Sequence, residues 1–141
     1  MMKFKKFLQL LSLFLFIDIT HAYDINHIGY GKEIPLTKDY RIRQYLYNPN
    51  EIFLLVIHHG FQSYIEVEKS EAIQTISLGD SYSWSINVLD NRVFIKSLEK
   101  YLQTNMTIIT NKRIYQFDLV SKELDEYKER DFVYAIKFSY L

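Results

Sequence analysis

The stretch that decides the fold is FVYAIKFSYL, Phe132–Leu141. Taken in steps of two, it sets Phe132, Tyr134, Ile136, Phe138 and Tyr140 on one side. Val133, Ala135, Lys137 and Ser139 fall on the other. A two-residue repeat of this kind is the pattern of a strand with one face in a core. Five large apolar or aromatic residues on one face need a sheet to sit in and a second layer to cover them.

Working back from that strand, the same pattern recurs at close spacing. Arg41–Tyr47 alternates and stops at Asn48-Pro49-Asn50, a strong turn. Ile52–His58 is apolar on both faces, as a central strand would be, and stops at His59-Gly60. Ser63–Val67 and Ala72–Leu78 follow, the latter ending at Gly79-Asp80. Tyr82–Val88 alternates most clearly, with Tyr82, Trp84, Ile86 and Val88 on one face. Asp90-Asn91 turns it into Arg92–Lys96, and Asn111-Lys112 joins Asn105–Thr110 to Arg113–Leu119. Ser97–Gln103 reads as a loop or single helical turn. Lys122–Arg130 reads as a charged loop, because Leu124 and Tyr127 are too few to bury a helix face. The expectation is an all-β fold, an antiparallel β-sandwich of about eight to nine short strands over residues 40–141. A closed up-and-down β-barrel is the competing architecture.

Ahead of the strands, residues 23–39 read as an N-terminal arm broken by Gly29, Gly31 and Pro35. Residues 1–22 carry Lys3, Lys5 and Lys6, then an apolar run from Phe7 to Ile19, then Thr20-His21-Ala22. That is the pattern of a secretory signal peptide cut after Ala22, and its apolar run is short for a membrane span. Without it the chain carries a net charge of −2 and no direct membrane span. The sequence contains no cysteine, so neither a disulfide nor a thiolate metal ligand enters the reading. A leader without cysteines fits the periplasm of a Gram-negative bacterium.

The residues offer little chemistry. His21 leaves with the leader, His27 stands in the arm, and His58 and His59 are neighbours that point to opposite faces of a strand. No metal site or cofactor is expected from them. There is no G-x-S-x-G, and four glycines leave no phosphate-binding loop. Glu66 and Glu68 read as an exposed charged edge on one strand face. Lys112–Phe117 interleaves basic and aromatic residues, but the charge balance and the leader argue against nucleic acid. No enzyme is expected.

Several short motifs nevertheless come in a set order. They are Asp39-Tyr40-Arg41-Ile42-Arg43, Gly60-Phe61-Gln62-Ser63-Tyr64-Ile65-Glu66, Gly79-Asp80 followed by Trp84, and Phe94-Ile95-Lys96. Asn105-Met106, Thr110-Asn111-Lys112-Arg113-Ile114-Tyr115-Gln116-Phe117 and Tyr134–Tyr140 complete the set. The order resembles the N-terminal domain of the TrbG/CagX family, the ninth VirB component of type IV secretion systems. Ser97 stands where that pattern has a proline, and Ser63 where it has a threonine.

The resemblance implies a periplasmic β-sandwich in the ring-shaped core complex associated with the outer membrane. It implies a structural subunit of conjugal transfer machinery, acting through protein–protein interaction. Its expected partners are other core subunits, including a membrane-spanning one and a full-length homologue, with homo-oligomerisation possible. In the family a second β-domain follows, whereas this sequence stops at Tyr140-Leu141; the expectation is a truncated paralogue without that domain. The alternative is a free periplasmic module that binds a peptide or small ligand. The motif residues Arg41, Gly79, Asp80, Trp84, Lys96, Asn105, Arg113, Tyr115, Phe117, Phe138 and Tyr140 are expected to maintain the fold. In particular, Gly79 is expected at a positive-φ turn, Asp80 on local backbone, Trp84 as a buried anchor with a partnered indole, and Arg113 in a cross-strand or intersubunit pair.

Overall fold

The computed structural model describes residues 29–34, 39–125 and 131–141. The leader at residues 1–22, most of the arm, and part of the charged loop before residue 131 lie outside the described residues.

Nine strands form: β1 (Ile42–Leu46), β2 (Ile52–His58), β3 (Gln62–Glu66), β4 (Ile73–Leu78), β5 (Trp84–Leu89), β6 (Arg92–Ser97), β7 (Leu102–Thr110), β8 (Ile114–Lys122) and β9 (Ala135–Ser139). They make one sheet in the order β1-β9-β3-β6-β5 and another in the order β2-β8-β7-β4. The two face each other as a β-sandwich, and neither closes into a barrel. Among the described residues no helix is long and apolar enough to cross a membrane.

The expected β-sandwich forms, with pairing that is antiparallel only in part. Both sheets are mixed: β9 runs parallel to β1 and to β3, and β2 runs parallel to β8. Hairpins supply the antiparallel pairs β5–β6 and β7–β8. Parallel partners must be brought together by long connections, which a local reading of turns does not register.

The opening stretch is therefore the interior of a sheet. Ile136 and Phe138 point into the core, while Ala135 is buried on the other face. Phe138 is the hub of an aromatic cluster with Tyr45, Tyr47, Phe53, Tyr115 and Phe117, its ring 4.9 Å from that of Phe53 and 5.0 Å from that of Tyr115. Phe132 and Tyr134 precede the strand and pack outside the core, against His58 and Phe61.

Strand β2 corrects one expectation. It is apolar on both faces yet lies at the edge of its sheet. The arm covers that edge: Tyr30 bridges Ile52 and the Gly31 N–H donates to the Ile52 carbonyl at 2.9 Å. Gly31 lies so close to the Phe53 ring that a Cβ there would overlap it. The arm also bridges β1, through Glu33 and Tyr45. The strand read over Tyr82–Val88 starts only at Trp84, because Asp80 holds the Tyr82 and Ser83 N–H groups in a turn. Tyr82 is left 92% exposed.

Candidate functional site

Glu71 stands in the loop between β3 and β4, and its side chain is completely buried. A buried carboxylate is costly unless its lone pairs are filled and its charge is matched. Here both conditions are met. Thr110 donates its hydroxyl to Oε1 at 2.7 Å; Oε2 accepts from the Tyr115 hydroxyl at 2.7 Å and from the Glu68 N–H at 3.0 Å. The Arg113 guanidinium lies 3.2 Å from Oε2. The Tyr140 hydroxyl is 2.8 Å from that of Tyr115 and 3.5 Å from the carboxylate.

Arg113 also reaches Glu68 at 2.7 Å and stacks its guanidinium 4.0 Å from the centre of the Tyr140 ring. Its planar fork serves a carboxylate pair and an aromatic face together, which an ammonium does less well. The Glu68 bond raises the Arg113 pKa and lowers that of Glu68. Burial, then the bond to Glu71, pushes the Tyr115 phenol far up; burial takes Tyr140 to about 12.

The motif Thr110–Phe117 thus folds as one device. The Thr110 hydroxyl accepts the Lys112 and Arg113 N–H groups and so shapes the hairpin turn. Asn111 and Ala72 exchange bonds, Ala72 N–H to Oδ1 at 2.9 Å and Asn111 N–H to the Ala72 carbonyl at 3.1 Å. Tyr115 and Phe117 enter the core. Three of the sequence-nominated residues, Arg113, Tyr115 and Tyr140, meet around a carboxylate that sequence reasoning passed over. Its neighbours Glu66 and Glu68 do not form the exposed edge expected of them. Glu66 pairs with Arg92 at 2.6 Å, while Glu68 lies beyond the strand and turns toward Arg113.

A second group fixes the crossing from β4 to β5. Gly79 does not have a positive φ; the glycines that do are Gly29 and Gly60. Its role is close approach: a Cβ would stand 2.6 Å from Asn105 Oδ1 and 2.9 Å from Thr104 Oγ1. The Gly79 N–H donates to the Asn105 carbonyl, and the Asp80 N–H to Thr104 Oγ1. Asp80 bonds local backbone as expected. Trp84 is a buried anchor, but its indole N–H has no hydrogen-bond partner among the described residues, nor does the Ser97 hydroxyl opposite it.

The remaining nominated residues lie elsewhere. Arg41 pairs with Asp39 at 2.6 Å and sits 5.0 Å from the Tyr134 ring. With Tyr40, Phe61, Leu124, Phe132 and Tyr134 it lines a surface hollow of about 170 Å³. Lys96 is exposed on β6 and makes no ion pair among the described residues. His58 is buried and stacked on Phe132, and burial lowers its pKa. Among the described residues no three His, Asp or Glu side chains are grouped to hold a metal.

The chain is 28% identical over 145 residues to type IV secretion system protein virB9 of Bartonella quintana, covering 99% of this chain and 49% of that protein. It is 28% identical over 135 residues to its namesake from Bartonella henselae, covering 92% and 47%. To type IV secretion system protein PtlF of Bordetella pertussis it is 27% identical over 104 residues, covering 64% and 38%. The chain spans about half the length of the first two relatives. The family model of the CagX conjugal transfer proteins matches residues 40–141, which is the whole of the sandwich. The chain belongs to the CagX family.

Proposed function

We propose that this chain is a non-enzymatic structural subunit of a type IV secretion system, working in the periplasm as a β-domain of the core complex. The observation that carries the reading is the use to which the motif residues are put. Arg113, Tyr115 and Tyr140 converge on Glu71 to lock the two sheets together. Residues spent on rigidity suit a part whose surfaces meet other subunits. The leader at residues 1–22 would direct it to the periplasm. Its partners would be the other core subunits, among them a membrane-spanning component and a longer homologue.

The test is purification of the tagged chain from detergent-solubilised envelopes of its native cell, followed by sizing and mass spectrometry. Recovery in a large assembly with other secretion subunits is expected. Recovery as a small free species overturns the proposal.

The hollow bounded by Tyr40, Phe61 and Tyr134 favours a second reading, a free module that binds a peptide or small ligand. That reading requires a monomer whose melting temperature rises with ligand.

A further inference from the structure

We infer that the outer edge of β5 is a docking site for an extended segment of another polypeptide, apolar on its inward side and acidic on its outward side. The edges of β1 and β2 are bridged by the arm, and β4 carries a register shift that bends it. Among the described residues strand β5 has neither protection. It pairs with β6 without a break over Trp84–Leu89, and its sequence WSINVL has no charge and no proline. Natural sheets seldom leave such an edge bare, because its free backbone groups are a template for another strand.

The ladder shows which backbone groups are free. Leu98 donates its N–H to the Ser83 carbonyl, so residues 83, 85, 87 and 89 exchange bonds with β6. The N–H and C=O groups of Ile86 and Val88 therefore point away from the sheet. Their side chains face the interior with Trp84, yet Val88 is 44% exposed. An added strand would cover it with apolar residues of its own.

On the outward face the register sets Ser85 beside Lys96. Lys96 is exposed and is not used to hold the fold, although it belongs to the motif set. A carboxylate on the added strand, level with Ser85, would lie within reach of its long side chain. Self-pairing of β5 with a second copy supplies no such carboxylate from the paired strands: each is uncharged, and β6 of each copy brings Lys96 beside an Arg92 already paired with Glu66. The chemistry thus favours a different polypeptide. This inference does not rest on the secretion-system reading.

The test uses the full chain and a labelled extended probe, Val-Glu-Val-Thr-Val-Glu-Val, with binding read by fluorescence anisotropy. Saturable binding is expected. Val88→Pro removes a free N–H without touching the β5–β6 ladder and should weaken binding about tenfold, the effect of one lost hydrogen bond. Val88→Glu, at the same half-exposed site, sets a like charge against the acidic probe should the proline variant not fold. Lys96→Glu should weaken binding, and a probe with lysine for glutamate should restore it. Absence of saturable binding overturns the inference, as does binding that both Val88 variants leave unchanged. Sedimentation of the chain without probe supplies one more arm: self-association abolished by the Val88 variants would assign the edge to a second copy and overturn it too.

Discussion

The hydroxyl of Tyr140 lies 3.5 Å from the carboxylate of Glu71, across 69 positions of sequence, with the Tyr115 hydroxyl bridging them. Tyr140 follows the last strand of one sheet, and Tyr115 belongs to the other. The two layers are thus joined by hydrogen bonds as well as by packing.

Glu71→Ala should destabilise the fold by about 3 kcal/mol, because it leaves two buried hydroxyls and one face of Arg113 without their acceptor. Tyr115→Phe removes one bond and should cost about 1 kcal/mol. Urea unfolding of both variants checks the order; equal costs would show that Glu71 is not the centre of the cluster.

Arg113→Lys keeps the charge and should still cost about 1 kcal/mol, since the fork and the stacking on Tyr140 are lost. A double-mutant cycle with Tyr140→Leu should show that the two losses are coupled. Strict additivity would refute the stacking.

Gly31→Ala should be worse than Gly79→Ala. The first drives a methyl into the buried Phe53 ring, costing about 2–3 kcal/mol. The second meets the ends of Asn105 and Thr104, whose small shifts should hold the cost near 1 kcal/mol. Thermal melts of the pair, with Gly79→Ala combined with Asn105→Ala as a partial rescue, decide the point.

Stability should depend on pH at both extremes. Hydrogen bonds from Arg41 hold Asp39 at about 2 against an ordinary 3.8, and the bond from Arg113 holds Glu68 below 4.5. A lowered folded-state pKa stabilises above the unfolded value and is lost as pH falls through the folded one. The melting temperature should therefore fall below about pH 4.5, with the Asp39 contribution lost between 3.8 and about 2. On the alkaline side the sign reverses. Burial raises Tyr140 from 10.0 to about 12 and Tyr115 further, so that stability is lost as pH rises above 10. Tyrosinate absorbance should rise together with loss of the fold, and independent titration of Tyr115 in the native state would contradict it.

Much of the sandwich was legible because its hairpins announce themselves. Asp90-Asn91 and Asn111-Lys112 fix two ladders locally, and the alternation of Ile136 and Phe138 marks a buried face. Strand order was not legible, since nothing near Ile42 indicates that it pairs with Ala135. The apolar run of β2 suggested a central strand because an arm covering an edge buries it just as another strand would. Of the site, Arg113, Tyr115 and Tyr140 carried a motif. Glu71 carried none, sitting in a lysine- and glutamate-rich loop where a buried carboxylate looks like any solvated one. The role of Gly79 was misplaced for a related reason: a glycine that permits close approach and one that permits positive φ are the same letter.

The place of β9 has a consequence for how the chain is made. Strand β1 has no neighbour in its sheet except β9, and β9 is also what separates it from β3. A nascent chain can form the hairpins β5–β6 and β7–β8 as they emerge, but this sheet stays open until residues 135–139 arrive. Completion by insertion of a parallel strand between two waiting ones is a high-contact-order event and a slow one. Until then the half-built sheet keeps two bare edges, those of β1 and β3 that face the gap, and each is open to a wrong partner.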